Sequence, residues 1–176
     1  LDTLLMKKAF ADQQRILPAF HRTLNLPHKP NAARDDVVAK EAEASVIFDE
    51  VIHVEEKIDG ASVGMTLHDG HPLIRNRDHI LRKVYVKDTP AKKQFASVWT
   101  WFYDNKKRFE KLISFGPYCV YGEWMVMRHG IEYTSLPDWF IAYDVYDHSV
   151  GEFLKPSDAR PLLKECGFVL PPTVHH

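Results

Sequence analysis

The sequence has little of several features that define other classes of protein. Its 176 residues include only two cysteines, Cys119 and Cys166, which form no Cys-x-x-Cys pair. This argues against a zinc ribbon or a disulfide scaffold and suits a reducing compartment. No run of about 18 or more apolar residues is present, so no membrane-spanning helix is predicted. We therefore expect a cytoplasmic or otherwise intracellular protein with no membrane partner.

The sequence also lacks an excess of charge of either sign. Lysine and arginine number 23 and aspartate and glutamate 24, which gives a formal net charge of −1. Because the overall field is nearly neutral, any contact with nucleic acid must come from local clusters of charge. The length is sufficient for one domain with a proper core but hardly for two.

The order of hydrophobic patterns predicts helices and antiparallel strands in one fold. Residues 1–50 form a predicted N-terminal helical segment without recognisable chemistry. From residue 51 the pattern changes to strands, and the first three form a predicted antiparallel meander with a turn at Asp69-Gly70. These predicted strands are Val51–Lys57, Ala61–His68 and Pro72–Arg77.

The second half of the chain continues the mixture of helices and strands. A long helix is predicted from Pro90 to Lys111, with apolar residues on one face. Two strands rich in apolar and aromatic residues follow, Tyr118–Met127 and Asp138–Asp147. A last helix is predicted from Pro156 to Cys166, with Gly167 as its C-cap. The fold class predicted is therefore α+β.

The first stretch with candidate chemistry is Lys57-Ile58-Asp59-Gly60, which begins at the end of one predicted strand and leads into the next. Free lysine has a pKa of about 10.4, so a nucleophilic lysine needs a pocket that lowers its pKa by desolvation or by neighbouring cations. Glycine has no Cβ and lets the backbone approach a ligand closely. On this stretch alone, a surface lysine in a hairpin turn remains an equal alternative.

Three further features follow Lys57 in order. They are Arg75 and Arg77 in one strand, Glu123 within Tyr-Gly-Glu-Trp, and Tyr143 in an aromatic strand. With the lysine they supply a nucleophile, an arginine for phosphate or ribose, a carboxylate for ribose hydroxyls or hydrated metal, and a ring for a base. Taken alone, Glu123 could be an ordinary strand carboxylate. The histidines lack metal-ligand spacing, and the identity of any metal ligand is left open.

In order and spacing, these motifs resemble the covalent nucleotidyltransferases, the superfamily of ATP-dependent DNA and RNA ligases and mRNA capping enzymes. Within it the sequence is most similar to the nick-sealing RNA ligases. The resemblance spans motifs I to IIIa over residues 51–174. It implies antiparallel sheets of an adenylation domain flanked by helices, with residues 1–176 forming one nucleotidyltransferase domain. The Glu-Gly-x-Val and Lys-x-Lys motifs that follow in the family do not occur, so we expect a C-terminally truncated fragment.

The resemblance also implies a role for individual residues. Lys57 would take AMP, and Arg77 would contact the nucleotide, with Arg75 as the alternative if the register differs. Glu123 would lie near the ribose, and the ring of Tyr143 would stack on adenine. Glu55 and Glu56 would reach the amino edge of adenine. The other positions implied along the nucleotide pocket are Ile58, Gly60 and Ser62, the last standing where many relatives carry asparagine.

The activity implied is that of an ATP-dependent RNA ligase. With ATP and Mg²⁺ it would form a lysyl-AMP intermediate on Lys57, transfer AMP to the 5′-phosphate of nicked or broken RNA, and seal with a 3′-hydroxyl. Three alternatives stay open: a DNA ligase, a capping-type guanylyltransferase, and a non-catalytic nucleotide- or RNA-binding module. The last is suggested by the missing C-terminal motifs. The oligomeric state is not predicted.

Overall fold

The computed structural model describes residues 3–27, 37–48, 52–82 and 90–175, which fall into two compact units. The first comprises the described residues up to Phe20 together with Lys57–Pro171, and the second comprises those of His21–Glu56 and of the stretch from Pro172 onward. Among all the residues that the structure describes, no helix is long and apolar enough to cross a membrane. The assignment of residues 1–176 to a single nucleotidyltransferase domain stays a prediction.

Helices and antiparallel strands occur in separate runs along the chain, as in the α+β class. The described helices are α1 (Thr3–Ile16), α2 (Glu41–Phe48), α3 (Pro90–Ala96), α4 (Val98–Asp104), α5 (Lys106–Phe115) and α6 (Pro156–Glu165). The described strands are β1 (Val54–Glu55), β2 (Ala61–His68), β3 (His71–Asn76), β4 (Tyr118–Trp124), β5 (Phe140–Asp147), β6 (Glu152–Phe153) and β7 (Thr173–His175).

The first unit contains an antiparallel five-stranded sheet of order β3-β2-β4-β5-β6. Side chains alternate across each strand, so the sheet has two chemically different faces. One face packs apolar side chains such as Val63, Met65 and Val120 against α4, α5 and α6. The opposite face is called here the Glu123 face. Its side chains include Ser62, Arg75, Tyr121, Glu123 and Tyr143.

Several predicted elements are confirmed and others are corrected. The β2–β3 hairpin turns at Asp69 and Gly70, whose φ angles of 49° and 75° are those of a tight two-residue turn. Gly167, with φ of 83°, follows α6 as predicted. The single helix predicted from Pro90 to Lys111 is wrong, because Ser97 and Asn105 separate α3, α4 and α5.

The predicted strand Val51–Lys57 is also wrong in extent and in pairing. Val51 lies outside the described residues, and among the described residues of this stretch only Val54 and Glu55 form a strand, β1. Its partner is β7, with Val54 opposite His175, so β1 does not form the first strand of a meander with β2. The alternating apolar pattern predicted a strand correctly, but the partner is more than a hundred residues away in sequence and left no local signal.

The second unit is built around the β1–β7 pair. The antiparallel pairing continues past β1, where the Glu56 N–H donates to the Pro172 carbonyl at 3.0 Å. At the start of α2, the Lys40 N–H donates to the Glu43 carboxylate at 2.8 Å, which satisfies one of the backbone donors left open at a helix N-terminus. Helices α1 and α2 both lie within the predicted N-terminal helical segment.

In the first unit, Arg75 ties the end of α1 to the Glu123 face. Its side chain is only 2% exposed. Its Nη1 donates to the Leu17 carbonyl at 2.9 Å and to Gln14 Oε1 at 3.1 Å, and both acceptors belong to the end of α1 and the residue after it. The other two bonds are local: Nε donates to the Asn76 carbonyl at 3.0 Å, and Nη2 donates to the Arg77 carbonyl at 3.3 Å. Burial lowers the pKa of Arg75. The guanidinium is therefore committed to chain anchoring, which weighs against the alternative of Arg75 as the nucleotide-binding arginine.

We predict that Arg75→Lys destabilises the protein, because an ammonium group cannot reproduce the planar fork that serves four acceptors. The expected loss in the free energy of unfolding is about 2–4 kcal/mol, measured by urea denaturation. The control is Arg128→Lys, at an exposed pair with Glu132, where a change below about 0.5 kcal/mol is expected. Equal stability of the two variants would contradict an anchoring role for Arg75.

Candidate functional site

The loop from Lys57 to Gly60 leads into β2 and lies against the end of β4. A Cβ placed on Gly60 would lie 2.9 Å from the Trp124 carbonyl oxygen and 2.6 Å from Met125 Sδ. Only glycine allows this approach. The space above Gly60 is therefore taken by β4, which is a structural reason for glycine that differs from the close approach to a ligand predicted from sequence. A contact of Gly60 with nucleotide stays a prediction.

Asp59 holds the same loop to the segment that follows β4. Its N–H donates to Tyr133 Oη at 2.9 Å, and its Oδ2 accepts the N–H groups of Gly130 at 2.7 Å and Ile131 at 2.9 Å. Sequence reasoning missed these partners. They lie more than seventy positions from Asp59 in an irregular loop, where no pattern of spacing points to them.

Ile58 forms an apolar support beneath the loop. It is buried together with Met125 and Ile141, and Tyr133 and Leu136 pack against them. Lys57 itself is exposed. The desolvated pocket expected around a nucleophilic lysine is therefore not formed by the described residues, and the amine is accessible to a ligand that enters from solvent.

Glu123 lies in the middle of β4, directly opposite Ser62 of β2. Burial raises the pKa of its carboxyl to about 7, and the negative charge of Asp59 also raises it. The positive charge of Lys57 and a hydrogen bond from the Gly60 N–H oppose this rise in pKa. The predicted nucleophile and the predicted carboxylate are thus brought together, and the carboxyl lies near the midpoint of its titration at neutral pH.

Tyr143 is the extra residue of a bulge in β5. Tyr121 pairs with Asp144 and Gly122 pairs with Ala142, so Tyr143 has no partner in the β4 ladder. A bulge of this kind bends the strand and redirects a side chain. It places the ring on the Glu123 face.

The surroundings of Tyr143 connect it to the other predicted residues. Its Oη lies 3.4 Å from Ser62 Oγ. Burial raises the pKa of its phenol, and the charge of Glu123 raises it further. Phe20 lies edge-to-face with it, at 5.3 Å between ring centroids. Ser62, Glu123 and Tyr143 therefore form one connected group on the sheet.

Arg77 lies in the bend after β3, not in the strand as predicted. Asn76 Oδ1 shapes this turn by accepting the His79 N–H at 2.7 Å. The last pair of the β2–β3 ladder is Val63 with Asn76, so Arg77 stands one position further, level with Ser62. Its side chain is exposed, and its contact with a nucleotide stays a prediction.

The two glutamates before Lys57 belong to the second unit. Glu55 lies in β1, with its carboxylate 3.0 Å from His53 Nε2, and Glu56 is exposed. Their contact with the amino edge of adenine stays a prediction. In the first unit, a cleft of about 570 Å³ adjoins Asp59 and is lined by the loop after β4, including Tyr133 and Trp139.

The described residues contain no group of three or more histidine, cysteine, aspartate or glutamate side chains arranged to hold a metal ion. Glu123 lies near enough to Lys57 for the positive charge of the amine to offset part of the rise that burial causes in the pKa of its carboxyl. A magnesium ion usually takes one or two protein carboxylates and completes its shell with water and substrate phosphates. Such a site needs no cluster of protein ligands.

Solved structures with the same fold include RNA ligases of Naegleria gruberi. A lysine-to-alanine mutant with ATP and Mn has a TM-score of 0.54 at 19% identity, and a glutamate-to-alanine mutant with AMP and Mn has 0.53 at 20%. The enzyme with PPi has 0.52 at 19%. In each case the match covers 70% of this chain and 36% of the other, so this chain spans about a third of the length of those ligases.

At these identities the likeness establishes the fold, which is the α+β nucleotidyltransferase fold with helices flanking antiparallel sheets. The family model for RNA ligase matches residues 50–176. The chain therefore belongs to the RNA ligase family. Comparison with curated protein sequences gives no match.

We predict a pH-dependent contribution of Glu123 to stability. Because the folded-state pKa is raised from 4.5 to about 7, the folded protein binds this proton more tightly than the unfolded chain, and the contribution of Glu123 to the free energy of unfolding falls as pH rises through that window. Glutamine does not ionise. The difference in unfolding free energy between wild type and Glu123→Gln should therefore fall by about 1–3 kcal/mol from pH 4.5 to 7.5.

Urea denaturation at a series of pH values measures this difference. The matched control is Glu132→Gln, which removes an exposed carboxylate from the same unit. The unfolding free energy of wild type minus that of Glu123→Gln should fall over this pH range. If this difference stays constant or rises with pH, burial does not govern the titration of Glu123.

Proposed function

We propose that this chain carries the adenylation site of an ATP-dependent RNA ligase and that Lys57 is the residue that takes AMP. The observation that carries the proposal is the meeting of an exposed amine with Glu123, Ser62 and Tyr143 beside one face of a sheet. An amine, a carboxyl and an aromatic ring are what nucleotide transfer through a lysine requires. Membership of the RNA ligase family supports the assignment.

In the first step the neutral amine of Lys57 attacks the α-phosphorus of ATP. A nitrogen–phosphorus bond forms, the bridging bond between the α-phosphorus and the β-phosphate oxygen breaks, and pyrophosphate leaves while the amine loses a proton to solvent. In the second step an oxygen of the RNA 5′-phosphate attacks the same phosphorus, the nitrogen–phosphorus bond breaks, and the Lys57 amine leaves as it takes up a proton from solvent. The 3′-hydroxyl then attacks the activated 5′-phosphate, loses its proton, and displaces AMP.

The remaining predicted residues are assigned to the nucleotide. Tyr143 stacks on adenine, and Glu123 and Ser62 bind ribose hydroxyls from neighbouring positions of β4 and β2. Arg77 serves the phosphate or ribose from the turn after β3, where a guanidinium can hold two oxygens at once. The other positions assigned to the nucleotide pocket are Glu55, Glu56, Ile58 and Gly60.

A divalent cation, Mg²⁺ in the cell, fits this arrangement. Glu123 is a partly buried carboxyl next to Lys57 whose pKa burial raises, so nearby positive charge would favour its ionised form. It could hold the ion directly or through water together with the nucleotide phosphates. The bound ion would supply charge neutralisation at the phosphates. The Naegleria gruberi ligase mutants that contain ATP or AMP together with Mn support the use of a divalent ion.

The central prediction concerns the adduct on Lys57. Wild-type protein incubated with ATP and Mg²⁺ should gain the mass of one AMP, because the exposed amine is the nucleophile. Lys57→Met should gain none, since methionine keeps the length of the side chain but cannot attack phosphorus. Intact-mass spectrometry checks this, with Lys164→Met at an exposed position of α6 as the control that should retain the adduct. An adduct on Lys57→Met would refute the assignment.

The same adduct tests the substrate. Purified adenylylated protein mixed with nicked duplex RNA bearing a 5′-phosphate and a 3′-hydroxyl should lose AMP and yield a sealed strand. A matched DNA duplex distinguishes the polymers, because the 2′-hydroxyl is the group that differs between them. Sealing of DNA in preference to RNA would contradict the proposed substrate.

A further prediction concerns the base. Tyr143→Ala should weaken ATP binding about tenfold or more, because stacking of a base on an aromatic ring is worth about 1–3 kcal/mol. Tyr143→Phe should have a mild effect, since the ring is kept. Equilibrium titration with ATP measures both variants. Tyr103→Ala, which removes a 48% exposed tyrosine from α4, is the control. Equal affinity of wild type and Tyr143→Ala would show that another ring holds the base.

A further inference from the structure

We infer that Phe20 is a positioning residue for base recognition: it holds the ring of Tyr143 in the orientation that stacks on adenine. The inference rests on the proposed function of Tyr143. It extends the site to the segment Gln14–Phe20, which lies outside residues 50–176, where the RNA ligase family model matches. That segment nevertheless belongs to the same compact unit as Lys57 and the sheet.

Three backbone carbonyls fix the segment to the Glu123 face, because each accepts a hydrogen bond from a side chain of the sheet. Leu17 accepts from Arg75 Nη1 at 2.9 Å. Ile16 accepts from the Cys119 thiol at 3.1 Å, and Pro18 accepts from the Tyr121 hydroxyl at 2.6 Å. These donors come from β3 and from two positions of β4, so the chain leading to Phe20 is held at several points. The ring of Phe20, which follows the end of α1, is consequently placed by contacts with the sheet.

Phe20 lies among three rings of the Glu123 face. It is 5.3 Å from Tyr143 at an interplanar angle of 73°, 5.3 Å from Phe153 at 79°, and 5.4 Å from Tyr121 at 45°. Edge-to-face contacts at such distances are favourable and depend on angle. Phe20 therefore restricts the rotation of the Tyr143 ring at one end.

Tyr143 needs such restriction more than an ordinary strand residue does. It is the unpaired residue of the bulge in β5, so the ladder does not orient its side chain. The contact of its hydroxyl with Ser62, at 3.4 Å, is long for a hydrogen bond between two hydroxyl groups. Phe20 thus adds an edge-to-face contact to a ring that the ladder does not orient and whose hydroxyl is only distantly bonded to Ser62. Removing it should lower the fraction of molecules whose ring is ready to stack.

The test compares three variants in equilibrium ATP titrations of the full-length protein. Phe20→Leu keeps the apolar volume but loses the ring, and it should raise the Kd for ATP about three- to tenfold, the range that corresponds to the loss of one aromatic pair. Phe20→Tyr keeps the ring and should restore affinity to within about twofold of wild type. Phe115→Leu, at a 46% exposed ring at the end of α5, is the control and should leave the Kd unchanged.

A double-mutant cycle separates positioning from general destabilisation. In a Tyr143→Ala background the Phe20→Leu change should have no further effect on the Kd for ATP, because the ring that Phe20 positions is gone. An unchanged Kd for Phe20→Leu alone would overturn the inference. An undiminished effect of Phe20→Leu in the Tyr143→Ala background would also overturn it, since Phe20 would then act independently of Tyr143.

The outcomes also distinguish this inference from the proposed function. If wild-type protein binds no ATP, the proposed function is wrong and the positioning role of Phe20 falls with it. If wild type binds ATP, forms the adduct on Lys57 and depends on Tyr143, while Phe20→Leu matches wild type, only the role of Phe20 is wrong.

Discussion

The contact of the Lys57–Gly60 loop with the end of β4 is the constraint on which the site depends. Gly60 brings the loop to a distance from the Trp124 carbonyl that no other residue allows, and three hydrogen bonds at Asp59 hold it to the loop after β4. Lys57 is therefore placed by a rigid backbone although its side chain is exposed. Without this contact the amine would have no defined position relative to Glu123.

Glu123 shows a conflict between stability and chemistry. Partial burial of this carboxyl in the middle of a strand raises its pKa. Ionisation of the carboxyl then costs folding free energy. Functional sites are where such local violations are expected, and the proposed role of Glu123 in nucleotide binding would account for a carboxyl at this position.

The Glu123 face is completed by residues that are far apart in sequence. The segment before Phe20 packs on it through Arg75, Cys119 and Tyr121, and the bulge in β5 adds the ring of Tyr143. Burial raises the pKa of the Cys119 thiol to about 12, which makes Cys119 an inert part of this packing. Some residues of the Glu123 face therefore belong to the core and others to the candidate site. The aromatic rings around Phe20 lie where the two groups meet.

The sequence alone determined the fold class and predicted the site residues, because motif spacing and the periods of the apolar pattern are local. Lys57, Glu123 and Tyr143 were named from it, as were the β2–β3 hairpin and α6. Only the tertiary structure decided which acceptors the Arg75 guanidinium uses, that β1 pairs with β7, and that Asp59 and Phe20 contact residues far away in sequence. Each of these depends on a long-range contact, and such a contact is specified by the packing of the whole chain and leaves no pattern at either position.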